Sequence, residues 1–181
     1  MNMILDSQDA DLFFRLYIPF LGFVKTHLTN IPGLEEAEEM KDVLFCTRQA
    51  MCKNPKIIQQ YLEENPEKLD TREREIIKSW QRFVHGQFVC INTGKKYATF
   101  LHWENENNQI VYRVLGLTDP ILAFVTEGMV LQNILLLPFE GRIVWDGLVN
   151  LQGVFLGPNM WRDAMNVYGE ARKSQQILST L

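Results

Sequence analysis

The chain changes its hydrophobic period near residue 85. Before that point, apolar residues recur three and four positions apart, as in Phe13, Leu16, Tyr17 and Phe20, which is typical of amphipathic helices. After Gly86 they alternate with polar residues and are separated by short turn sequences, which is typical of antiparallel strands. A chain with one period followed by the other predicts an α+β fold.

The change of period also predicts how the two parts are arranged. We expect a helical subdomain over residues 1–85, packed on a curled, barrel-like antiparallel sheet of five to six strands. Residues 86–181 should contain that sheet and a C-terminal helix that closes it. No long linker separates the parts, so they should form one compact unit. At 181 residues the chain can bury a sizeable core without disulfides or metals.

Four helices are expected in the first part. Pro19 falls within the apolar pattern of the first helix. It predicts a kink or a split at that position, because proline removes a helical hydrogen bond. A second helix is expected from about Gly33 to Lys53, with four glutamates in its first turns. The apolar face predicted for this second helix is Leu34, Ala37, Met40, Val43, Leu44, Thr47 and Met51.

Local start and stop signals define the next two helices. Asn54 and Pro55 read as an N-cap followed by proline at the first helical position. Asp70 with Glu73 three residues later predicts a capping box, and Gly86 is placed to end the helix that follows.

The second part reads as short strands joined by turns. The predicted strands are 88–91, 96–104, 109–117, 129–137 and 142–148, with a sixth at 151–156. The turn sequences between them are 92–95, 105–108 and 138–141, and residues 121–126 suggest one helical turn. Asn159 is expected to cap the closing helix.

Charge and composition exclude several classes of protein. The net charge is −4, which excludes a generically basic nucleic-acid binder. The first eleven residues contain three aspartates and no basic residue, so no signal peptide is expected. The longest apolar run, 129–139, is too short to span a bilayer, which needs about 20 residues. Cys46, Cys52 and Cys90 show no disulfide or zinc spacing, and we expect reduced thiols in a cytoplasmic protein.

Catalytic signatures are missing from the sequence. It contains no phosphate-binding loop, dinucleotide fingerprint, zinc-protease motif or nucleophile elbow. His27, His85 and His102 have no neighbouring residues at metal-ligand spacing. We therefore assign no catalytic, cofactor-binding or metal-ligating residue, and no cofactor is expected.

One polar cluster stands out in an apolar neighbourhood. It consists of Arg113, Asp119, Arg142 and Asp146. A strand beginning at Arg142 would place Arg142, Val144 and Asp146 on one face. The sequence favours structural ion pairs here, while contact with an anion or a peptide carboxylate stays the alternative.

Two tryptophans are candidate contact residues within the predicted sheet. Trp103 and Trp145 lie near basic residues, an arrangement that could stack the bases of a single strand. However, residues 87–156 carry six acidic residues against four basic ones. Alternation would also place Tyr97, Leu101 and Trp103 together on the core side. We therefore favour a core role for these aromatics.

Residues 136–148 read Leu-Leu-Pro-Phe-Glu-Gly-Arg-Ile-Val-Trp-Asp-Gly-Leu. This segment resembles a group of small bacterial proteins that share the sequence LPFxG[KR]I[IV][YW]DGL. Trp145 stands where that group usually has a tyrosine, so a catalytic tyrosine is not expected there. The resemblance implies a shared fold, and the group has no established activity, cofactor or catalytic residue to transfer. Further stretches similar to the same group are 12–17, 75–80, 83–86, 114–120 and 177–181.

The leading functional hypothesis is a non-enzymatic cytoplasmic module that binds a protein or peptide through the sheet or its loops. One alternative is single-stranded nucleic-acid binding by the sheet, which the acidic balance disfavours. Another is a small hydrolase or transferase, which requires Arg113, Asp119, Arg142 and Asp146 to converge in one concave pocket. No membrane partner is expected, and the sequence specifies no oligomeric state.

Overall fold

The structure is a computed structural model that describes residues 4–65, 68–94, 96–103 and 109–181. Its helices are α1 (Ser7–His27), α2 (Met40–Lys53), α3 (Lys56–Glu64), α4 (Thr71–Ser79) and α5 (Pro158–Lys173). Its strands are β1 (Val84–Thr93), β2 (Ala98–His102), β3 (Val111–Val114), β4 (Val130–Phe139), β5 (Arg142–Trp145) and β6 (Ile177–Leu178). Single 3₁₀ turns lie at Trp80–Arg82 and Ile121–Ala123. Within the described residues, no helix has the length and apolar character needed to cross a bilayer.

The six strands form one curled sheet in the order β5-β4-β1-β2-β3-β6. All neighbours are antiparallel except β3 and β6, which pair in parallel. The curl brings Leu115, just beyond β3, against β5 at the opposite edge of the sheet. The N–H of Leu115 donates to the carbonyl of Ile143 at 2.9 Å, and its carbonyl accepts from the N–H of Trp145 at 3.2 Å. The predicted α+β fold with a barrel-like sheet and a closing helix is confirmed.

Of the two outcomes predicted at Pro19, a kink or a split, the split does not occur: α1 continues through Pro19 as one helix. Pro19 lies on the exposed face of α1. It has no N–H to donate to the carbonyl of Arg15, but water can reach that carbonyl from the exposed side. Phe13 and Phe20, one before and one after the proline, are both fully buried. Their packing holds the helix together across the missing hydrogen bond.

Helix α2 begins seven residues later than predicted, at Met40 rather than Gly33. Residues 33–39 form turns, because Gly33 has a φ of 76° and four closely spaced glutamates repel one another in a helix. Met40, predicted to be buried, is 71% exposed. Thr47 and Met51 are buried as predicted, and the other two buried residues of α2 are Arg48 and Ala50, which were not predicted.

The capping box predicted for α4 is correct: Asp70 and Glu73 form hydrogen bonds in both directions. The cap predicted for α3 was wrong by one residue, because Pro55 is the N-cap of α3, while Asn54 is the C-cap of α2 and donates its side-chain amide to the carbonyl of Ala50. The prediction that Gly86 ends the helix was wrong. A 3₁₀ turn follows α4, and Gly86 lies inside β1, where it pairs with Ile134 of β4.

The predicted sixth strand at 151–156 was also wrong. This segment forms only an isolated bridge between Phe155 and Met129, and the sixth strand is β6, which adds to β3. The predicted β4–β5 hairpin is present, because Glu140 and Gly141 both have positive φ, as a two-residue hairpin loop requires. Lys95 and the predicted turn 105–108 lie outside the described residues.

Three buried clusters fill the fold. The first joins α1, α3 and α4 to one face of β4 and β5, the second fills the inside of the curled sheet, and the third lies under α5. Strand β2 is therefore buried on both faces: Phe100 belongs to the second cluster and Leu101 to the third. The sequence had predicted a single core side for this strand, which is wrong because α5 covers the other face.

Candidate functional site

Helix α1 runs along the face of β5 that carries Arg142, Val144 and Asp146. Arg142 Nη2 lies 2.6 Å from Asp9 Oδ2, and Val144 belongs to the cluster that joins α1 to the sheet. Asp146, one residue past β5, accepts a 3.0 Å hydrogen bond from the hydroxyl of Tyr17. The alternation predicted from the sequence therefore places these side chains along one helix.

A buried polar triad lies at the end of this face. Arg48 Nε is 3.3 Å from Asp146 Oδ2, and both side chains are almost completely excluded from water. Tyr17 and the backbone N–H of Leu148 donate to the two carboxylate oxygens of Asp146. The guanidinium of Arg48 also lies 4.8 Å from the ring centroid of Phe45. We call Tyr17, Arg48 and Asp146 the buried triad.

Arg48 ends the β4–β5 ladder. The ladder pair farthest from the turn is Leu136 with Trp145, and three residues further along each strand the same register would set Asn133 opposite Leu148. Arg48 instead donates a hydrogen bond from each of its two terminal nitrogens. Nη1 donates to the carbonyl of Asn133, and Nη2 donates to the carbonyl of Leu148. The guanidinium thus takes the place of ladder hydrogen bonds, and the chain after β5 leaves β4.

A groove opens where the chain leaves β4, with a cavity volume of about 550 Å³. One wall is formed by residues 145–151, and the other by residues 117–119 together with Phe124. Phe14 of α1 and Lys41 of α2 complete the lining. Its lining mixes apolar side chains with polar groups such as Thr118 and Asn150, and concave sites of this size bind ligands and peptides.

The charged groups of the groove differ in how they are paired. Asp146 forms part of the floor and is engaged in the buried triad. Asp119, on the opposite wall, is exposed and accepts a hydrogen bond from Thr118 at 3.0 Å. Lys41 is exposed, and in the described part of the chain neither Lys41 nor Asp119 forms an ion pair. The rims of the groove therefore carry one charge of each sign.

The two arginines of the predicted cluster lie away from this groove. Arg113 places its guanidinium 4.9 Å from the ring centroid of Tyr97, and Arg142 pairs with Asp9. Of the four predicted residues, the structure brings Asp119 and Asp146 into one cavity and places Arg113 and Arg142 elsewhere. The convergence that the hydrolase or transferase hypothesis requires is not observed.

The two candidate tryptophans pack against other side chains. Trp145 is 3% exposed and meets Phe100 edge to face, with ring centroids 6.1 Å apart. Trp103 is half-buried in the cluster under α5. Both rings therefore take part in packing, as the sequence favoured.

Burial also controls the ionisable groups around the floor. It raises the pKa of the Asp146 carboxyl, with Arg48 and Tyr17 opposing the shift. Burial and the charge of Asp146 raise the pKa of the Tyr17 hydroxyl well above its ordinary value. The pKa of the Cys52 thiol is raised by burial to about 12. Tyr17 and Cys52 therefore stay protonated at neutral pH, and neither is an activated nucleophile.

A second charge cluster lies at the other end of the same face of α1. Arg72 donates to both carboxylate oxygens of Glu140, at 2.6 and 2.8 Å, and lies 3.6 Å from Asp9. Arg142 joins Asp9 to Glu140, with distances of 2.6 and 3.7 Å. We call Asp9, Arg72, Glu140 and Arg142 the surface network, because all four side chains are partly open to water.

Sequence reasoning missed Arg48, which organises the groove. It found Asp146 but not its partner, since an arginine on α2 reads as a solvated position. The available signal was position: Arg48 follows Thr47 and precedes Met51 by three residues, so it lies on the buried side of α2. A charged residue on such a face needs a buried counter-charge.

Comparisons of the chain with protein-family models, with curated proteins and with solved structures found no match. Among the described residues, no group of three or more His, Cys, Asp or Glu side chains could hold a metal ion. The functional conclusion must therefore come from the groove itself.

Proposed function

We propose that the protein is a non-enzymatic cytoplasmic module that binds a protein or peptide segment in the groove. The observation that carries this proposal is the state of the groove floor. Asp146 accepts a hydrogen bond from Tyr17 and forms an ion pair with Arg48, and all three side chains are buried. The pKa of the nearby Cys52 thiol is raised to about 12. These groups shape the floor and hold no accessible nucleophile or base.

The rim of the groove supports binding to a macromolecule. Phe124 is 49% exposed and lines the groove, and Leu122 beside it in the chain is 50% exposed. Exposed aromatic and aliphatic side chains next to a concave apolar surface are typical of protein-binding sites. The three cysteines are free, which agrees with a reducing compartment.

Two phenylalanines provide a matched test. Phe124 lines the groove, whereas Phe155, which is 53% exposed, does not. Peptides are selected from a random phage library on the immobilised wild-type protein, and their affinities for Phe124→Asp and Phe155→Asp are measured. We expect Phe124→Asp to weaken binding roughly tenfold or more and Phe155→Asp to leave it unchanged.

A capture from lysate of producing cells, with and without nuclease, completes the test. Protein partners that survive nuclease and are lost with Phe124→Asp would support the proposal. Peptides or partners that bind both variants equally would contradict it. Capture that disappears with nuclease would favour nucleic-acid binding instead.

A further inference from the structure

The backbone of residues 150–153 is unpaired. In the described part of the chain, none of its N–H groups or carbonyls takes part in a hydrogen bond. Its neighbours on both sides are paired: Val149 N–H donates to Gly147, and the carbonyl of Val154 accepts from Val130. The strand predicted at 151–156 overlaps this segment at residues 151–153, where the structure forms no strand.

The side chains of this segment alternate between inside and outside. Val149 is buried and Leu151 is half-buried, and both pack on the cluster inside the curled sheet. Asn150 and Gln152 are exposed. The alternation ends at Gly153, whose φ of 64° lies in the left-handed region. Along residues 150–152, the backbone N–H and C=O groups of an alternating segment point sideways, in the plane that a neighbouring strand would occupy.

Both neighbouring strands are held away from this segment. On one side, Arg48 replaces the ladder hydrogen bonds between Asn133 and Leu148. On the other side, the strand extension ends at Leu115, and the chain turns at Gly116. A side chain at Gly116 would meet the carbonyl of Asp119 at 2.2 Å, so the turn is tight and specific to glycine. The groove is the space left between these structures.

We propose that the groove binds an extended segment of a partner protein, which adds as a short β-strand along residues 150–152. This inference rests on the proposed function and specifies its chemistry. Main-chain hydrogen bonds to residues 150–152 would supply affinity, and the apolar side chains of the walls would contact alternate side chains of the segment. Unpaired backbone groups beside an apolar cavity are the arrangement that strand addition uses.

The charges of the groove describe the partner further. Lys41 projects from α2 and Asp119 from the opposite wall, and neither forms an ion pair within the described residues. The bound segment should therefore carry an acidic residue that faces Lys41 and a basic residue that faces Asp119. A segment with charges of one sign only would leave one rim unmatched.

Gln152 allows the backbone contribution to be tested separately. Gln152→Pro removes one backbone donor at an exposed position, and Gln152→Ala changes the side chain but keeps the donor. The probe is the strongest peptide from the phage selection. We expect Gln152→Pro to weaken its binding about fivefold or more and Gln152→Ala to have no effect. Thermal unfolding of both variants shows whether the fold is retained.

A second measurement does not depend on the variant folding. The probe peptide is synthesised with single N-methyl groups along its backbone, and each version is tested on the wild-type protein. Strand addition predicts losses at every second position, because alternate N–H groups face the receptor strand. Binding lost with Phe124→Asp but insensitive to N-methylation and to Gln152→Pro would overturn strand addition and leave the proposed function standing.

Charge reversal tests the description of the partner. Lys41→Glu should weaken a probe with an acidic residue, and exchanging that residue for lysine should restore binding. If all combinations of charge bind equally, the partner segment does not carry the charges expected opposite Lys41 and Asp119. A concentration-dependent dimer that Gln152→Pro abolishes would also overturn the proposal, because the occupant would then be a second copy of the chain.

Discussion

Two arginine–carboxylate clusters lie along the same side of α1, and they differ in their access to water. In the buried triad, the side chains of Arg48 and Asp146 are 0% and 1% exposed. In the surface network, those of Arg72 and Glu140 are 58% and 29% exposed, although their contact is shorter, at 2.6 Å against 3.3 Å. Distance alone would rank the surface pair as the stronger interaction.

Solvent access reverses this ranking. An exposed pair exchanges hydration for an attraction that water and salt weaken, so it contributes about 0–1 kcal/mol. A buried charge has lost its hydration completely, and removing its partner costs about 3–5 kcal/mol. The buried triad also determines where β4 and β5 separate, whereas the surface network joins elements already placed by their packing. We therefore expect the triad to specify the groove and the network to adjust stability slightly.

The largest effect should come from Arg48→Met. It leaves the carboxylate of Asp146 buried without its counter-charge, and we expect the free energy of unfolding to fall by about 3–5 kcal/mol. Urea denaturation measures this change. The control is Arg15→Met, which removes an exposed pair with Glu73 and should cost at most about 1 kcal/mol. Similar losses for the two variants would remove the distinction between buried and exposed clusters.

Tyr17→Phe should have the next largest effect. It deletes the hydroxyl that donates to Asp146 at 3.0 Å, and a buried hydrogen bond to a charged group contributes about 1.5–3 kcal/mol. Tyr61 provides the control, because it is 7% exposed and its hydroxyl forms no hydrogen bond in the described part of the chain. We expect Tyr61→Phe to be nearly neutral in the same denaturation assay. Equal losses would mean that the effect comes from packing and not from the carboxylate.

The two clusters should respond to pH in opposite directions. The hydrogen bond from Arg72 lowers the pKa of Glu140 in the folded protein. Ionised Glu140 therefore stabilises the fold above the ordinary pKa of a glutamate, and this stabilisation is lost as the pH falls through the lowered pKa. Burial raises the pKa of Asp146, so the folded state binds its proton more readily and stability falls as the pH rises through the raised value.

Urea midpoints across the acidic range test these signs. Glu140→Gln should remove a component of stability that increases with pH, and Asp146→Asn should remove one that decreases with pH. The comparison uses the slope against pH, so the lower overall stability of Asp146→Asn does not affect it. A slope of the same sign from both carboxylates would contradict the difference in environment.

The parts of the fold that could be predicted are those specified by neighbours in the sequence. The capping box of Asp70 and Glu73 and the hairpin loop at Glu140 and Gly141 depend on residues one to three positions apart. The start of α2 was placed incorrectly for a local reason too, because apolar spacing was given more weight than repulsion among adjacent glutamates.

The groove could be predicted only in part, because its organising contacts are long-range. Arg48 reaches carbonyls 85 and 100 residues away, and no local pattern specifies such partners. The sequence identified Asp146 as an ion-pair residue and residues 151–156 as strand-forming. It could not show that Arg48 takes the place of the ladder between Asn133 and Leu148, which leaves the backbone of residues 150–153 unpaired before the chain meets β4 again at Val154.

The smallest effects should come from the surface network, where salt provides the sharpest comparison. A double-mutant cycle of Arg72→Met and Glu140→Gln should give a coupling energy of about 0.2–1 kcal/mol at low salt, because both side chains remain hydrated. Raising the salt from about 0.1 M to about 1 M shortens the screening length from about 10 Å to about 3 Å and should reduce this coupling toward zero. The parallel cycle of Arg48→Met and Asp146→Asn should keep its larger coupling, because salt ions do not enter the core. A surface coupling that resists salt, or that equals the buried one, would show that geometry and not solvent access determines the strength of these two clusters.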